Sequence, residues 1–185
     1  MRRLLLAPLF FLLLSLSSPA FAQVVATFYS HEFGDDFPHA FFTVKGTTIA
    51  GGTPVDANYG FTAKVITPAI LFGSVPGRID IAKPGYIRGS NAHFAVTLTD
   101  AQYEALMAVV EKWRAAPIPS YNMNRSNCVH FIGDAAKAVG LIVTYPKALM
   151  KKPRSYLEEI QRLNPQLADL RVERKNQEAV DASAR

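Results

Sequence analysis

The order of the predicted strands and helices constrains the fold of this chain more than any other feature. Before residue 99 the sequence is rich in β-branched and aromatic residues interrupted by glycine and proline, a composition typical of short strands and turns. After that point apolar residues recur at helical spacing. Strands followed by helices, rather than alternating with them, indicate an α+β fold in which a small antiparallel sheet packs against the helices.

Five strands are predicted in the first part of the chain. They cover residues 24–29, 38–45, 47–50, 60–66 and 92–98, with a turn at Gly46. The stretch between the last two, residues 67–89, is rich in proline and glycine and is predicted to be a winding connection. Alternation along the last strand predicts that His93 lies on its more polar, exposed face.

Two main helices are predicted in the second part. A capping box that begins at Thr99 predicts the start of the first helix, which runs toward Pro117. The second helix is predicted to start near Ser126 or Asn127 and to end at Gly140. A shorter helix that docks on the rest of the chain is expected after residue 153.

The chain divides into four segments. Residues 1–22 have the charged start, short apolar run and Ala-x-Ala cleavage pattern of a secretory signal peptide. The apolar run is shorter than the roughly 18 to 20 residues that span a bilayer, so we expect no transmembrane segment after signal removal and a periplasmic or secreted location. Residues 23–146 are expected to form one domain, residues 147–170 to dock on it, and residues 171–185 to be disordered.

The basic excess of the chain lies in its C-terminal part. Residues 23–146 contain 9 basic and 9 acidic residues, whereas residues 147–185 contain 9 basic and 6 acidic residues. The body also lacks a basic stripe interleaved with aromatic residues. We therefore expect no nucleic-acid partner. We also expect no cofactor.

Cys128 is the only cysteine, so no disulfide can form within the chain. It shares the inward-facing stripe of its helix with Ile132, Ala135 and Ala136, so the thiol is predicted to face the protein body. The first turn of a helix favours negative charge, which would lower the pKa of the thiol, and its N–H groups could stabilise an oxyanion. An inert, buried cysteine is the alternative interpretation.

A nucleophilic thiolate needs a base from elsewhere in the chain. His130 follows Cys128 by two residues and shares a polar stripe with Asp134, so it is predicted to face water rather than the thiol. His39 opens a strand whose flanks are strongly apolar, and it is the best-placed base by pattern.

The segment around His31 is a weaker candidate for a metal site. It contains several residues that can bind metals but lacks a spacing typical of zinc sites. These residues are His31, Glu32, Asp35, Asp36 and His39. We expect a solvated acidic loop and no metal, and we rank an exported metal-binding protein that uses His31 and His39 last among the alternatives.

Two short motifs resemble those of a known family. Residues 127–131, Asn-Cys-Val-His-Phe, resemble the Asn-Cys-Glu-His-Phe signature of lecithin retinol acyltransferase-like proteins, which belong to the circularly permuted branch of the NlpC-type papain-like superfamily. Residues 38–41, Pro-His-Ala-Phe, stand where that branch carries its catalytic histidine, on a strand before the cysteine. The resemblance runs from about residue 35 to Gly140. It implies a permuted papain-like fold with Cys128 as nucleophile and His39 as base.

The chain departs from this pattern in its third catalytic group. Family members carry a second histidine shortly after the first, and residues 45–60 contain none. An orienting group would have to come from Thr43, Thr48, Asp56 or Asn58, or be absent, and Asn127 could support the oxyanion.

The residues and the resemblance together predict an exported cysteine hydrolase or acyltransferase. It would act on an amide, ester or thioester, and the compartment favours a cell-envelope substrate such as a peptidoglycan peptide. The alternative is a catalytically inactive papain-like module that binds a component of the envelope.

Overall fold

The computed structural model describes residues 23–32, 38–118 and 120–170. The predicted signal peptide, the acidic loop with Asp35 and Asp36, and the predicted disordered tail lie outside the described residues. The described part is a five-stranded antiparallel sheet with helices packed against it, which confirms the predicted α+β class.

The sheet has the strand order β4-β3-β2-β1-β5. Its strands are β1 (Val24–His31), β2 (His39–Thr47), β3 (Pro54–Ala63), β4 (Gly77–Asp80) and β5 (Asn91–Leu98). The helices are α1 (Pro84–Arg88), α2 (Asp100–Arg114), α3 (Cys128–Ala138) and α4 (Pro153–Leu163), with a short 3-10 helix at Pro68–Leu71. None of the helices among the described residues has the length and apolarity required to cross a membrane.

The core lies between one face of the sheet and the long helices. Phe28, Phe42 and Phe61 are fully buried on that face, and Phe131 of α3 packs on them with its ring centroid 5.8 Å from that of Phe42. Helix α4 adds Tyr156, Leu157 and Ile160 to the same buried cluster. The sheet therefore supports the start of α3 through this aromatic contact.

The predicted helix boundaries are confirmed. Thr99 accepts the N–H of Gln102 at 3.2 Å and forms the predicted capping box of α2. Asn127 caps α3, and Gly140 follows that helix with a φ of 89°, a left-handed conformation that suits glycine. The predicted short helix after residue 153 is α4.

The predicted strand at residues 47–50 is wrong. Strand β2 continues through Gly46, whose φ of 136° allows a close approach to the Gln23 carbonyl that a Cβ would block. The chain turns later, at residues 48–53, where the Asp100 carboxylate accepts the N–H groups of Ile49 at 2.9 Å and Ala50 at 2.6 Å. Because the turn is displaced, β3 begins at residue 54 rather than at residue 60.

The prediction that His93 is exposed is also wrong, because the strand alternation breaks there. The pairing of β1 with β5 shifts register between Phe28 and Tyr29, which leaves His93 as the extra residue of a bulge. The bulge directs His93 into the protein, where its Nε2 lies 2.8 Å from the hydroxyl of Ser30.

Candidate active site

Asn127 holds the start of α3. Its Oδ1 accepts the backbone N–H of Val129 at 2.9 Å and of His130 at 3.3 Å, satisfying donors that the first turn of a helix leaves unpaired. Its Nδ2 donates to the carbonyls of Met123 and Met150, both at 2.7 Å. Both ends of the side-chain amide are engaged in this way, so Asn127 positions the helix rather than supporting an oxyanion.

His130 is partly exposed rather than fully solvated, so the prediction that it faces water holds only in part. The backbone N–H of Asn127 donates to its Nδ1 at 3.4 Å, and its ring stacks near Tyr145 with centroids 6.4 Å apart. Burial lowers the pKa of His130, although nearby Asp134 acts in the opposite direction. The ring turns back onto the start of α3 because a residue three positions after the cap can reach the cap's backbone.

The thiol of Cys128 lies where β2 and β3 separate. The pairing of β2 with β3 ends at Phe41 and Gly60, but β3 continues along β4. The backbone amides of Ala40, one residue beyond this last pair, of Val129 and of Cys128 itself all act on the thiol in the direction that favours the thiolate. The thiol therefore faces the protein body, as the helical spacing predicts.

Burial controls the acidity of this thiol. It raises the pKa of Cys128 from 9.0 to about 11 and outweighs the opposing effect of the surrounding amides. The expectation that the helix start lowers this pKa is therefore wrong. Removal from water destabilises the thiolate more than the surrounding amides stabilise it. At neutral pH the sulfur carries its proton, and a nucleophilic attack needs a base in the same step.

His39 is the first residue of β2 and stands at the same end of the sheet. Its ring stacks on Phe41 with centroids 6.3 Å apart and an interplanar angle of 13°. The buried Nε2 lies over Gly60, where a Cβ would overlap it. The residue of β3 that faces this nitrogen is thus a glycine, and it leaves room for the imidazole.

Two of the predicted orienting residues lie further along the sheet. Asn58 pairs with Thr43, four positions along β2 from His39, which is about 13 Å at about 3.3 Å per residue. Asn58 instead holds the segment after β4, since it accepts the N–H of Ala82 at 2.6 Å and donates to the carbonyl of the same residue at 3.2 Å.

The other two predicted orienting residues, Asp56 and Thr48, lie still further from His39. Asp56 forms an exposed ion pair with Lys45 at 3.5 Å. Thr48 lies in the turn at the opposite end of β2, where its Oγ1 accepts the N–H of Thr53 at 3.2 Å. Thr48 is too far from His39 to orient its ring.

Cys128 and His39 both line one cavity of about 740 Å³. It opens at the end of the sheet, between β3, β4 and the starts of α3 and α4, and both residues line it. Tyr121 also lines it, and burial, with a smaller effect of Cys128, raises the pKa of Tyr121 to about 12. The phenol therefore keeps its proton and can donate a hydrogen bond into the cavity.

The wall of the cavity carries an excess of positive charge. Asp80 is its acidic residue, and this carboxylate pairs with Arg78 at 2.9 Å. Three lysines, Lys64, Lys83 and Lys151, line the same space. This charge favours a substrate that carries negative charge.

The metal alternative at His31 finds no support among the described residues, where no group of three His, Cys, Asp or Glu side chains could hold a metal ion. The ring of His31 stacks on Tyr86 with centroids 4.0 Å apart, and its Nδ1 lies 3.0 Å from the hydroxyl of Ser90.

Gly60 and Tyr121 are not among the site residues that the sequence predicts. A glycine inside a strand often marks a close approach by another group, so Gly60 could have been recognised from the sequence as such a position. Tyr121 lies in an irregular segment before α3, and no pattern in the sequence places it beside the thiol.

No protein-family model matches the sequence. No curated protein matches it either. The structure is similar to a crystal structure of the type VI secretion system effector TseH, with a TM-score of 0.49 and 17% sequence identity over 77% of this chain and 89% of that chain. A similarity at this level says nothing about activity.

Replacement of Gly60 by alanine is expected to displace the imidazole of His39, because the new Cβ would overlap Nε2. Such overpacking costs about 1 to 3 kcal/mol of unfolding free energy, and the histidine resonances in an NMR spectrum should move. Gly73→Ala is the matched control, since no atom lies within 4 Å of a Cβ there. Unchanged histidine resonances in Gly60→Ala would contradict this placement of the ring.

Proposed function

We propose that the protein is an exported cysteine hydrolase or acyltransferase that acts through Cys128 and His39. The observation that carries this proposal is the shared cavity, in which a buried thiol at a helix start and an imidazole at a strand start line one space. Its volume of about 740 Å³ is within the range of sites that enclose small ligands. The bond attacked is an amide, ester or thioester.

The first step follows from the protonated state of the thiol. Sγ of Cys128 attacks the carbonyl carbon while the imidazole of His39 takes the thiol proton. The tetrahedral intermediate then collapses, the proton passes to the leaving group, and the acyl group remains on sulfur as a thioester. Water or a second acceptor releases it.

We infer that two donors stabilise the oxyanion. The backbone N–H of Cys128 lies at the start of α3, where the positive end of the helix dipole adds to its effect. The hydroxyl of Tyr121 stays protonated and lines the same cavity. The lysines of the cavity wall favour an acidic substrate, and peptidoglycan peptides, which carry free carboxylates, fit that charge.

A second candidate is a catalytically inactive module that uses the cavity to bind an envelope component. The raised pKa of Cys128 favours this inactive module, since a thiol that stays protonated is a poor nucleophile without a base.

Acetylation by p-nitrophenyl acetate separates the two candidates without knowledge of the substrate. An enzyme should release nitrophenolate in a burst and carry one acetyl group on Cys128, as intact mass and peptide mapping would show. The Cys128→Ala variant should show neither. The His39→Ala variant should lose about a hundredfold or more of the burst rate, the usual contribution of a general base.

His31→Ala is the matched control, because His31 lies directly opposite His39 in the pairing of β1 with β2. It should acetylate at the wild-type rate. An absence of acetyl transfer to Cys128, or equal rates in His39→Ala and wild type, would reject catalysis and leave the binding module. Purified peptidoglycan fragments, with products separated by mass, then test the proposed substrate.

A further inference from the structure

The loop that joins β3 to β4, residues 64–76, exposes four large apolar side chains. Phe72 exposes 88% of its surface, Val65 66%, Leu71 64% and Ile66 54%. Scattered apolar residues on a surface are ordinary, but a group of four in one loop marks an interaction site.

This β3–β4 loop is held in place rather than loosely tethered. The N–H of Lys64 donates to the carbonyl of Pro76 at 2.7 Å and closes its base, and Val75 pairs with Tyr121. Ile70, next to Leu71, is buried and anchors the 3-10 helix. The structure therefore presents Leu71 and Phe72 to solvent on a fixed support.

Positive charge flanks the exposed apolar group. Lys64 begins the loop, and Lys83 lines the same cavity, two residues after the exposed Ile81. The carboxylate of Asp80 is occupied by Arg78 at 2.9 Å, so it does not neutralise the lysines. Apolar side chains flanked by lysines are the combination that binds an anionic bilayer surface.

We propose that the β3–β4 loop inserts Leu71 and Phe72 into the surface of a bilayer that contains anionic phospholipid, while Lys64 and Lys83 contact the headgroups. Ile66, one of the four exposed apolar residues of the loop, also lines the cavity, as does the exposed Ile81. Docking by this loop therefore places the mouth of the cavity at the membrane surface. The proposal does not depend on chemistry at Cys128.

A bilayer fits this surface better than a protein partner does. The core of a protein interface is depleted of charged residues, and of lysine in particular. Here Lys64 directly precedes Val65, one of the four exposed apolar residues. A side chain that exposes 88% of its surface, as Phe72 does, also protrudes, and a fluid bilayer accepts a protruding ring without a preformed pocket.

Sedimentation of the full 185-residue chain with lipid vesicles tests the proposal. Wild type should bind vesicles of phosphatidylcholine with phosphatidylglycerol, and bind phosphatidylcholine alone more weakly. Leu71→Ser/Phe72→Ser should lower the partition constant about tenfold or more, because two apolar side chains leave the interface. Lys64→Glu/Lys83→Glu should bind both kinds of vesicle equally weakly and lose the salt dependence of wild type.

The matched control is Ile49→Ser/Ile142→Ser, which removes two exposed apolar side chains outside the loop and should bind as wild type does. Residues 1–22 are present in every variant, so binding through their apolar run would leave Leu71→Ser/Phe72→Ser unaffected. That result, or an absence of vesicle binding, or binding indifferent to lipid charge, would overturn the proposal. Cys128→Ala should bind as wild type does, which separates this test from that of the proposed reaction.

Discussion

Replacement of Asn127 by alanine is expected to lower the free energy of unfolding by about 3 kcal/mol. Loss of the cap on α3 costs about 1 kcal/mol. The carbonyls of Met123 and Met150 also lose their donor, and an unsatisfied buried carbonyl costs about 1 kcal/mol or more. Because Asn127 is buried, water does not readily replace these bonds. Urea denaturation of variant and wild type measures the difference.

Two control variants divide this effect into its parts. Asn127→Asp keeps the capping oxygen and loses the donor, so it should lose the part of the stability that the two carbonyls represent. Asn124→Ala changes an exposed asparagine in the same segment and should leave stability nearly unchanged. A loss of less than about 1 kcal/mol in Asn127→Ala would show that the two carbonyls find other partners.

Alkaline conditions are expected to destabilise the protein through Cys128. The thiol has a pKa of 9.0 in the unfolded chain and about 11 in the folded protein, so the folded state holds its proton to higher pH. The resulting stabilisation is complete below about pH 9 and is lost as pH rises to about 11. A difference of about two pKa units corresponds to a loss of about 2.7 kcal/mol.

Comparison with Cys128→Ala isolates this contribution. Between about pH 8 and about pH 11, wild type should lose about 2 kcal/mol more than the variant, because all other titrating groups are common to both. The rate of alkylation of Cys128 by iodoacetamide should rise over the same range. Parallel stability curves for the two proteins would contradict the raised pKa.

The features that depend on local spacing could be predicted from the sequence. The inward direction of Cys128 follows from the 3.6-residue period of its own helix. The capping box at Thr99 and Gln102 depends on residues only three positions apart, and the structure contains it. The order of a strand histidine followed by a helix cysteine, which the family resemblance implies, is also observed.

The features that depend on pairing between distant segments could not be predicted from the sequence. His93 is buried because β1 and β5 pair with a bulge, and neither strand alone records where the register shifts. The late turn after β2 is set by Asp100, some fifty residues away. The raised pKa of Cys128 comes from everything packed around the sulfur, so the helix start alone predicted the wrong direction.

The separation of β2 from β3 beyond Phe41 and Gly60 determines whether this site can exist. If β2 and β3 paired for one more residue, the Ala40 N–H would donate to the backbone of β3. The space between the strands that the sulfur now occupies would then be closed. The sheet gives up one or two of its own hydrogen bonds there, and the thiol takes the vacated donor. In this molecule the length of a strand pairing, as much as the identity of any side chain, determines where the thiol can lie.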